Sequence, residues 1–271
     1  MKIAVLMTVH NRCRTTLRSL KHLYDNEGKE MFEVFLTDDG STDGTTESVR
    51  MKFPNVHIIK GSGNLYWNRG MIEAWKEASK IDPEFYLWLN DDTMLHPSAV
   101  RDILQTYNEV EHMSIVSGVI VSSDMETVSY GGWINNKLVD INGQNQQVQR
   151  INGNFVLIPR CVYKKLGMLD PFFLHSFGDW EYGHRAMKNG IKLYVTPKYV
   201  GVCDRHDEIR GCFNPRNNLI TRYKVLYSPF GINPIQQFYL DLKCNNIFVG
   251  VKIFVILHLK ATFPFFFQNK Q

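Results

Sequence analysis

The chain has 271 residues, 44% of them hydrophobic and 21% charged, which is the composition of a folded protein with a sizeable core. Its net charge of +4 is too small and too dispersed to predict a nucleic-acid-binding surface, which needs a concentrated basic stripe. The 5 cysteines are scattered and form no CxxC pair. They argue against a zinc knuckle or a disulfide framework and predict reduced thiols in a cytosolic protein.

The first 121 residues alternate between predicted strands and predicted helices. The predicted strands are Ile3–Val9, Met31–Thr37, Val56–Lys60, Phe85–Leu89 and Ser114–Val121. The predicted helices are Arg14–Asn26, a segment starting near Asp43, Asn68–Ser79 and Pro97–Val110. Strands separated by helices of this length imply βαβ units and a mostly parallel sheet, so the predicted fold class is α/β. The first strand is too short for a signal peptide, which also predicts a cytoplasmic chain.

The second half of the chain is less regular. Residues 122–150 are polar and prone to turns, and they predict hairpins or a mobile excursion. Further strands are predicted at Asn154–Ile158 and Lys192–Val195. A helix is predicted over Asp179–Asn189, with Gly190 in the usual C-cap place. The pattern is helical from Pro215 onward.

The C-terminal residues 247–267 are strongly apolar, but they are interrupted by charged residues and by Pro264. A membrane-spanning helix needs about twenty apolar residues with few charges, so this segment is not predicted to span. A helix lying on a membrane surface, with the stems of Lys252 and Lys260 reaching outward, fits the pattern. A helix packed on the rest of the chain or on a second subunit, as in a homodimer, fits it equally.

Polar residues collect where three predicted strands end. The first strand runs into Thr8-Val9-His10-Asn11-Arg12, the second into Asp38-Asp39-Gly40-Ser41, and the fourth into Asn90-Asp91-Asp92. Ligands of open α/β sheets bind outside the carboxyl ends of the strands. The sequence therefore predicts a ligand site at this edge.

Adjacent carboxylates at a strand end repel each other unless a donor approaches them. A carboxylate only accepts hydrogen bonds, so a nucleobase N–H and ribose hydroxyls would satisfy Asp38 and Asp39. Capping of the next helix by Ser41 or Asp43 is the alternative interpretation.

The acids of Asn90-Asp91-Asp92 are ligands that Mg²⁺ or Mn²⁺ prefers, with phosphate oxygens completing the shell. A polar turn in which Asp92 caps the helix near Pro97 is the competing interpretation.

Taken together, these segments resemble the family 2 glycosyltransferases, which are inverting enzymes of the GT-A fold, a Rossmann-like, mostly parallel sheet flanked by helices. The stretch Gly178 to Arg185 and the stretch Ser228 to Gly231 resemble a branch described as rhamnosyltransferase-like. The other matching segments are Val5–Asn11, Thr37–Gly44, Gly63–Trp67, Leu89–Asp92 and Asn152–Phe155.

The resemblance implies a metal-dependent transfer of a sugar from a nucleotide-diphosphate donor, a UDP- or dTDP-sugar, with Mn²⁺ or Mg²⁺. It also implies a saccharide or lipid-linked saccharide acceptor, in surface polysaccharide synthesis. The donor-binding positions that it implies are Thr8, His10, Asn11, Asp38, Asp39, Asn64, Trp67, Asn90, Asp91 and Gly153. Asp92 matches the metal-binding acid, and His206, between Asp204 and Asp207, is a candidate additional metal ligand.

Asp179 matches the residue proposed as the catalytic base of the family. Many members have Glu-Asp there, whereas this chain has Gly178-Asp179. A carboxylate that accepts the proton of an attacking hydroxyl contributes about 10²–10⁴-fold to the rate. The alternative is that Asp179 caps the following helix, on which Glu181 and Arg185 lie near the site or pair with each other.

The implied organisation is a GT-A domain over residues 1–212, with a nucleotide-binding half (1–112) and an acceptor half (113–212). Residues 213–271 form a helical extension, associated with a membrane or a second subunit. Two other functions are compatible with acids on such a sheet. A nucleotidyltransferase usually needs a Gly-rich basic loop after the first strand, which this chain lacks. A catalytically silent sugar-nucleotide-binding protein would retain the fold without a working Asp179.

Overall fold

The computed structural model describes residues 1–27, 31–205 and 211–267. The strands are β1 (Ile3–Val9), β2 (Phe32–Asp38), β3 (His57–Lys60), β4 (Phe85–Leu89), β5 (Met94–Leu95), β6 (Ser114–Val121), β7 (Val128–Tyr130), β8 (Gly132–Ile134), β9 (Lys137–Leu138), β10 (Gln146–Val148), β11 (Arg150–Ile151), β12 (Phe155–Pro159) and β13 (Lys192–Val202). The helices are α1 (Cys13–Tyr24), α2 (Thr45–Lys52), α3 (Tyr66–Ser79), α4 (Ala99–Glu109), α5 (Arg160–Leu166), α6 (Gly178–Lys188), α7 (Leu219–Leu226), α8 (Pro234–Cys244) and α9 (Ile247–Thr262).

The main sheet has the order β10-β13-β6-β12-β4-β1-β2-β3, with β5 and β7 paired at its margins. Strands β3, β2, β1 and β4 are mutually parallel, and β13 is parallel to β6. Strand β12 lies antiparallel between β4 and β6. The predicted α/β class with a mostly parallel sheet is confirmed, and the ends of β2, β1 and β4 meet at one edge.

The strands of this sheet are buried on both faces. In β1, Ile3, Val5 and Met7 belong to one core cluster, whereas Ala4 and Leu6 belong to the other. Helices α1, α2 and α4 cover the first face, and α3, α5 and α6 cover the second. Because alternate residues of a strand point to opposite faces, a continuous apolar run is what a two-sided core requires.

The predicted hairpins of residues 122–150 are present. Strands β8, β9 and β11 form a separate small antiparallel sheet with the order β11-β8-β9. Helix α5 was not predicted from the sequence, and β13 is longer than predicted because it continues past Pro197 to Val202. The pairing of β13 with β6 shifts register between Val195 and Tyr199, which allows a proline inside a strand.

The C-terminal helices are capped at their N-termini by Asn218, Asn233 and Asn246, whose side chains each accept a backbone N–H of the first turn. Helix α8 packs on α6, where Leu240 joins a cluster with Phe173 and Phe177. Helix α9 leaves an apolar face uncovered, with Phe248 83% exposed. Among the described helices none is long and apolar enough to cross a membrane.

Candidate active site at the carboxyl edge of the sheet

The carboxylates of Asp38 and Asp39 are buried and are satisfied by the protein itself. Asp39 accepts the backbone N–H groups of Gly63, Leu65 and Tyr66 at 2.7–2.9 Å. Asp38 accepts the N–H of Ser41 at 2.9 Å and a short hydrogen bond from the hydroxyl of Thr46. Donors from the protein itself therefore approach the two acids, and their contact with a base and a ribose stays a prediction. A carboxylate has about four acceptor positions, so Asp39 keeps capacity for a further donor.

The loops after β1 and β2 are tied together at this edge. Asn11 accepts the N–H of Thr42 at 2.7 Å, and His10 Nδ1 lies 2.7 Å from the carbonyl oxygen of Asp39. Asp43 accepts the first N–H of α1, from Cys13, at 2.9 Å and the first N–H of α2, from Thr45, at 3.2 Å. Asp43 thus stabilises the N-termini of two helices without being the cap of either, since the N-cap residues are Arg12 and Gly44.

Trp67, Asn90, Gly153 and Asp179 form one connected group. The indole N–H of Trp67 donates to Asn90 Oδ1 at 2.7 Å. A Cβ atom placed on Gly153 would lie 2.7 Å from the Trp67 ring, so the backbone and the ring are in close contact. The N–H of Gly153 donates to Asp179 Oδ2 at 2.9 Å. The structure therefore unites predicted residues from α3, the end of β4, the approach to β12 and the start of α6.

Asp179 is the second residue of α6, and the residue in the N-cap position is Phe177. The carboxylate accepts the N–H of Trp180 at 2.9 Å, so it stabilises the first turn without being the cap. Burial raises the pKa of Asp179 to about 6, although the hydrogen bonds from Gly153 and Trp180 oppose this shift. A carboxyl with such a pKa is ionised near neutral pH and is basic enough to accept a proton.

Arg12 lies between the two acids that follow β4. Its Nη1 is 3.2 Å from Asp91 Oδ1, and its Nη2 is 3.0 Å from Asp92 Oδ2. Burial raises the pKa of Asp91 to about 7, with Asp92 adding to the shift and Arg12 opposing it. Asp92 does not cap α4, where the N-cap residue is Ser98. Arg12 was not predicted as a site residue, although a cation directly after His10-Asn11, at the end of a strand whose neighbours end in acids, was a usable signal.

The donor set at this position fits a hard divalent cation held mainly by substrate oxygens. Among the described residues, no three His, Cys, Asp or Glu side chains converge as a metal cage. Magnesium-type sites commonly use one or two carboxylates with substrate phosphates and water, which is what Asp91 and Asp92 offer. The pairing with Arg12 shows that the two acids stabilise positive charge at this point.

The remaining predicted residues are more peripheral. Thr8 packs against Gly70 of α3, so its hydroxyl faces that helix and the loop before it contains Asn64. Asn64 is exposed on that loop. His206 and Asp207 lie outside the described residues, and the prediction for His206 stays a prediction.

Glu181 and Arg185 pair with each other through Arg185 Nη2 and Glu181 Oε2 at 2.9 Å. Glu181 also lies 2.8 Å from Nζ of Lys243 in α8, and Lys243 lies 2.5 Å from Asp170. This ion-pair network, centred on the buried carboxylate of Glu181, joins the helical extension to α6. The contribution of Lys243 was not predicted from the sequence.

Gly178 has a steric role that explains the missing acid. A Cβ at this position would overlap Oδ1 of Asn68, whose amide nitrogen donates to the carbonyls of Asp170 and Phe173. We expect Gly178→Ala to lower the free energy of unfolding by about 1–3 kcal/mol through overpacking. Urea unfolding checks this, and the same change in an Asn68→Ala background should cost much less. Equal costs in both backgrounds would contradict the steric explanation.

Comparison with known proteins assigns the chain to a sequence family. The sequence model of glycosyl transferase family 2 matches residues 4–167. The chain is 23% identical over 226 residues to N-acetylglucosaminyl-diphospho-decaprenol L-rhamnosyltransferase from two strains of Mycobacterium tuberculosis, covering 72% of this chain and 73% of the relative.

Solved structures share the fold. S. aureus TarS in complex with UDP-GlcNAc matches with a TM-score of 0.59 and 16% identity, over 100% of this chain and 76% of that chain. The mannosyltransferase PcManGT from Pyrobaculum calidifontis, in complex with GDP-Man and Mn²⁺, matches with a TM-score of 0.59 and 15% identity, over 97% and 73% of the two chains. The family match favours a glycosyltransferase over the nucleotidyltransferase alternative. The family model matches more than half of the chain, and the chain has a GT-A fold. The chain therefore belongs to glycosyl transferase family 2 and is a rhamnosyltransferase-like glycosyltransferase.

Proposed function

We propose that the protein transfers a sugar from a nucleotide-diphosphate donor to a hydroxyl of a saccharide acceptor, with inversion at the anomeric carbon. The observation that carries this proposal is the Asp179 carboxylate, held at the sheet edge by Gly153 and given a raised pKa. The acceptor hydroxyl gives its proton to Asp179 as its oxygen bonds to the anomeric carbon. The bond from that carbon to the diphosphate breaks on the opposite face, and the nucleoside diphosphate leaves.

The donor occupies the ends of β1, β2 and β4 in this proposal. Asp39 receives the imide N–H of the base, while Asn90 and Asp91 face the ribose and the diphosphate. Asn64 and Trp67 flank the donor from the loop before α3. A UDP- or dTDP-sugar is the proposed donor, because uracil and thymine present the same imide edge. The TarS complex with UDP-GlcNAc and the L-rhamnosyltransferase relative support these two classes.

Asp92 would hold a Mn²⁺ or Mg²⁺ ion together with oxygens of the donor diphosphate. Such an ion neutralises charge on a departing diphosphate. Asp91 and Arg12 would contribute one negative and one positive charge next to the ion. When the ion binds Asp92, Arg12 would be free to contact a phosphate oxygen of the donor. The Mn²⁺ complex of the mannosyltransferase supports use of a divalent ion in this fold.

The C-terminal helices support a peripheral contact with an anionic membrane surface. Four residues of α9 share one exposed apolar face, namely Phe248, Val251, Val255 and Leu259. Residues 211–267 contain one acid, Asp241, which is 3% exposed and accepts hydrogen bonds from Gln237 and Asn245. The exposed charges described there are basic, as in Lys224 and Lys252. An apolar face with basic residues around it suits the anionic cytoplasmic leaflet, where a lipid-linked acceptor would be presented.

We expect the protein to sediment with phosphatidylglycerol-containing vesicles and not with phosphatidylcholine vesicles. The double change Phe248→Ser/Val255→Ser should abolish this binding, because it removes apolar surface from the bilayer contact. Met51→Ser, at an exposed methionine of α2, is the matched control and should bind as the wild type does. Absence of vesicle binding, with a dimer that the double change dissociates, would instead identify this face as a homodimer contact.

We expect the rate of transfer at low substrate concentration to fall about tenfold per pH unit below pH 6, because protonated Asp179 cannot accept a proton. Above the pKa the carboxylate is charged and the rate should reach a plateau. A pH–rate profile of kcat/KM measures this, and the residual activity of Asp179→Asn should lack the acidic limb. If the limb persists in that variant, it belongs to another carboxyl such as Asp91, and Asp179 is not the base.

A further inference from the structure

A cavity of about 490 Å³ lies beside the proposed active site, between the small sheet, α6 and the C-terminal helices. Trp180, which lines it, follows Asp179 directly in the sequence. Arg150 lines it as well, and its charge is close enough to favour the ionised form of Asp179. The cavity therefore opens next to the carboxylate that would activate an acceptor.

Arg150 is the central group of this cavity. Its guanidinium carbon lies 4.1 Å from the centre of the Trp180 ring and 4.7 Å from that of Trp133. Within the described part of the chain, the side chain of Arg150 has no hydrogen bond or ion pair, and its buried Nε has no partner. The two rings hold the cation in place but provide no acceptor for its N–H groups. A part-buried guanidinium of this kind is suited to a ligand that brings oxygen acceptors.

Among the described residues, the other polar groups that line the cavity form no ion pair with Arg150. Asp241 is the acid in its lining, and its carboxylate is already bonded to Gln237 and Asn245 at 2.9–3.0 Å. His184 contributes a buried Nε2 without a partner. The cavity thus presents a guanidinium without an acceptor, together with a buried ring nitrogen of His184 that has no partner.

We propose that this cavity binds a phosphate or diphosphate group of the acceptor, with Arg150 as its anchor. The inference rests on the proposed transfer reaction, because it assigns the cavity to the substrate that Asp179 would deprotonate. The planar guanidinium matches two phosphate oxygens at once, which a point charge does not. Leu240 and Ile253 line the same cavity and offer apolar surface to an alkyl chain next to the phosphate. The ligand required is thus a phosphate or diphosphate group, either lipid-linked or free.

Isothermal titration calorimetry in EDTA tests this with three probes: geranyl diphosphate, inorganic pyrophosphate and geraniol. Geranyl diphosphate should bind to the wild type and about tenfold or more weakly to Arg150→Gln, because charge-assisted hydrogen bonds are lost. Arg150→Lys keeps the charge and should give an intermediate affinity. Tighter binding of geranyl diphosphate than of pyrophosphate identifies a lipid-linked source, whereas equal binding identifies a free phosphate group.

Arg50→Gln is the matched control, because Arg50 is an exposed arginine in the last turn of α2 and does not line the cavity. It should leave geranyl diphosphate binding unchanged. Loss of binding in Arg12→Gln but not in Arg150→Gln would place the diphosphate at the proposed donor site and overturn the proposal, as would equal binding of geraniol. Nucleotide-sugar binding, measured for the wild type and for Arg150→Gln, distinguishes failure of the proposed transfer from failure of the proposed anion site. If the wild type binds no nucleotide sugar but geranyl diphosphate binding depends on Arg150, the proposed transfer fails and the anion site stands.

Discussion

Replacing Asp179 with Asn is expected to reduce sugar transfer by about 10²–10⁴-fold, which is the usual contribution of a general base. The amide cannot accept the proton of the attacking hydroxyl, although its oxygen still accepts the N–H of Gly153. The loop before β12 should therefore keep its position, and donor affinity should be unchanged. The effect falls on kcat, since the interaction is made in the transition state and not in the bound donor complex.

Single-turnover transfer from a radiolabelled nucleotide sugar measures the chemical step, and calorimetry measures donor affinity in the same variant. Asp82→Asn is the matched control, because Asp82 is an exposed carboxylate that precedes β4 at the opposite edge of the sheet. It should retain wild-type turnover. Turnover of Asp179→Asn equal to that of the wild type would contradict the assignment of Asp179.

Replacing Glu181 with Ala is expected to lower the free energy of unfolding by about 3 kcal/mol, because it leaves Arg185 and Lys243 without their shared buried carboxylate. Glu181 is 2% exposed, so water does not replace the lost acceptor. Burial lowers the pKa of Lys243, but the two carboxylates of Asp170 and Glu181 outweigh it and hold that pKa above its ordinary value. After the substitution, Asp170 is the carboxylate that remains beside the ammonium group, 2.5 Å from Nζ.

Urea unfolding followed by circular dichroism measures this loss. Glu77→Ala removes an exposed pair with Lys80 on α3 and should cost less than about 1 kcal/mol. A cost for Glu181→Ala as small as that of the control would show that the network does not hold α8 on α6. Transfer activity should fall together with stability, since α6 carries Asp179 in its first turn.

The sheet and the edge that carries the site were predictable from the sequence. The apolar runs of β1 and β4 are longer than an alternating pattern allows, so they indicate strands buried on both faces. Polar residues directly after them indicate the ligand edge. These features depend on neighbours in the sequence, which is why a pattern detects them.

The connections within the site were not predictable in the same way. Asp39 is satisfied by backbone N–H groups 24–27 residues away, so no local pattern reveals its partners. Lys243 and Glu181 are 62 residues apart and meet only after α8 packs on α6. The absence of an acid at Gly178 becomes intelligible only because Asn68 occupies the space of a side chain. Each of these contacts is set by tertiary packing.

The central claim is that the carboxyl edge of the sheet binds a nucleotide sugar with a divalent ion. A thermal-shift screen of UDP-, dTDP- and GDP-sugars with Mn²⁺, Mg²⁺ or EDTA tests it most directly, because a ligand that binds the folded state raises Tm. We expect a UDP- or dTDP-sugar to raise Tm of the wild type and of Asp179→Asn when the ion is present, and not to do so in Asp92→Asn. No shift with any UDP or dTDP compound, or an equal shift in EDTA and in Asp92→Asn, would contradict the claim.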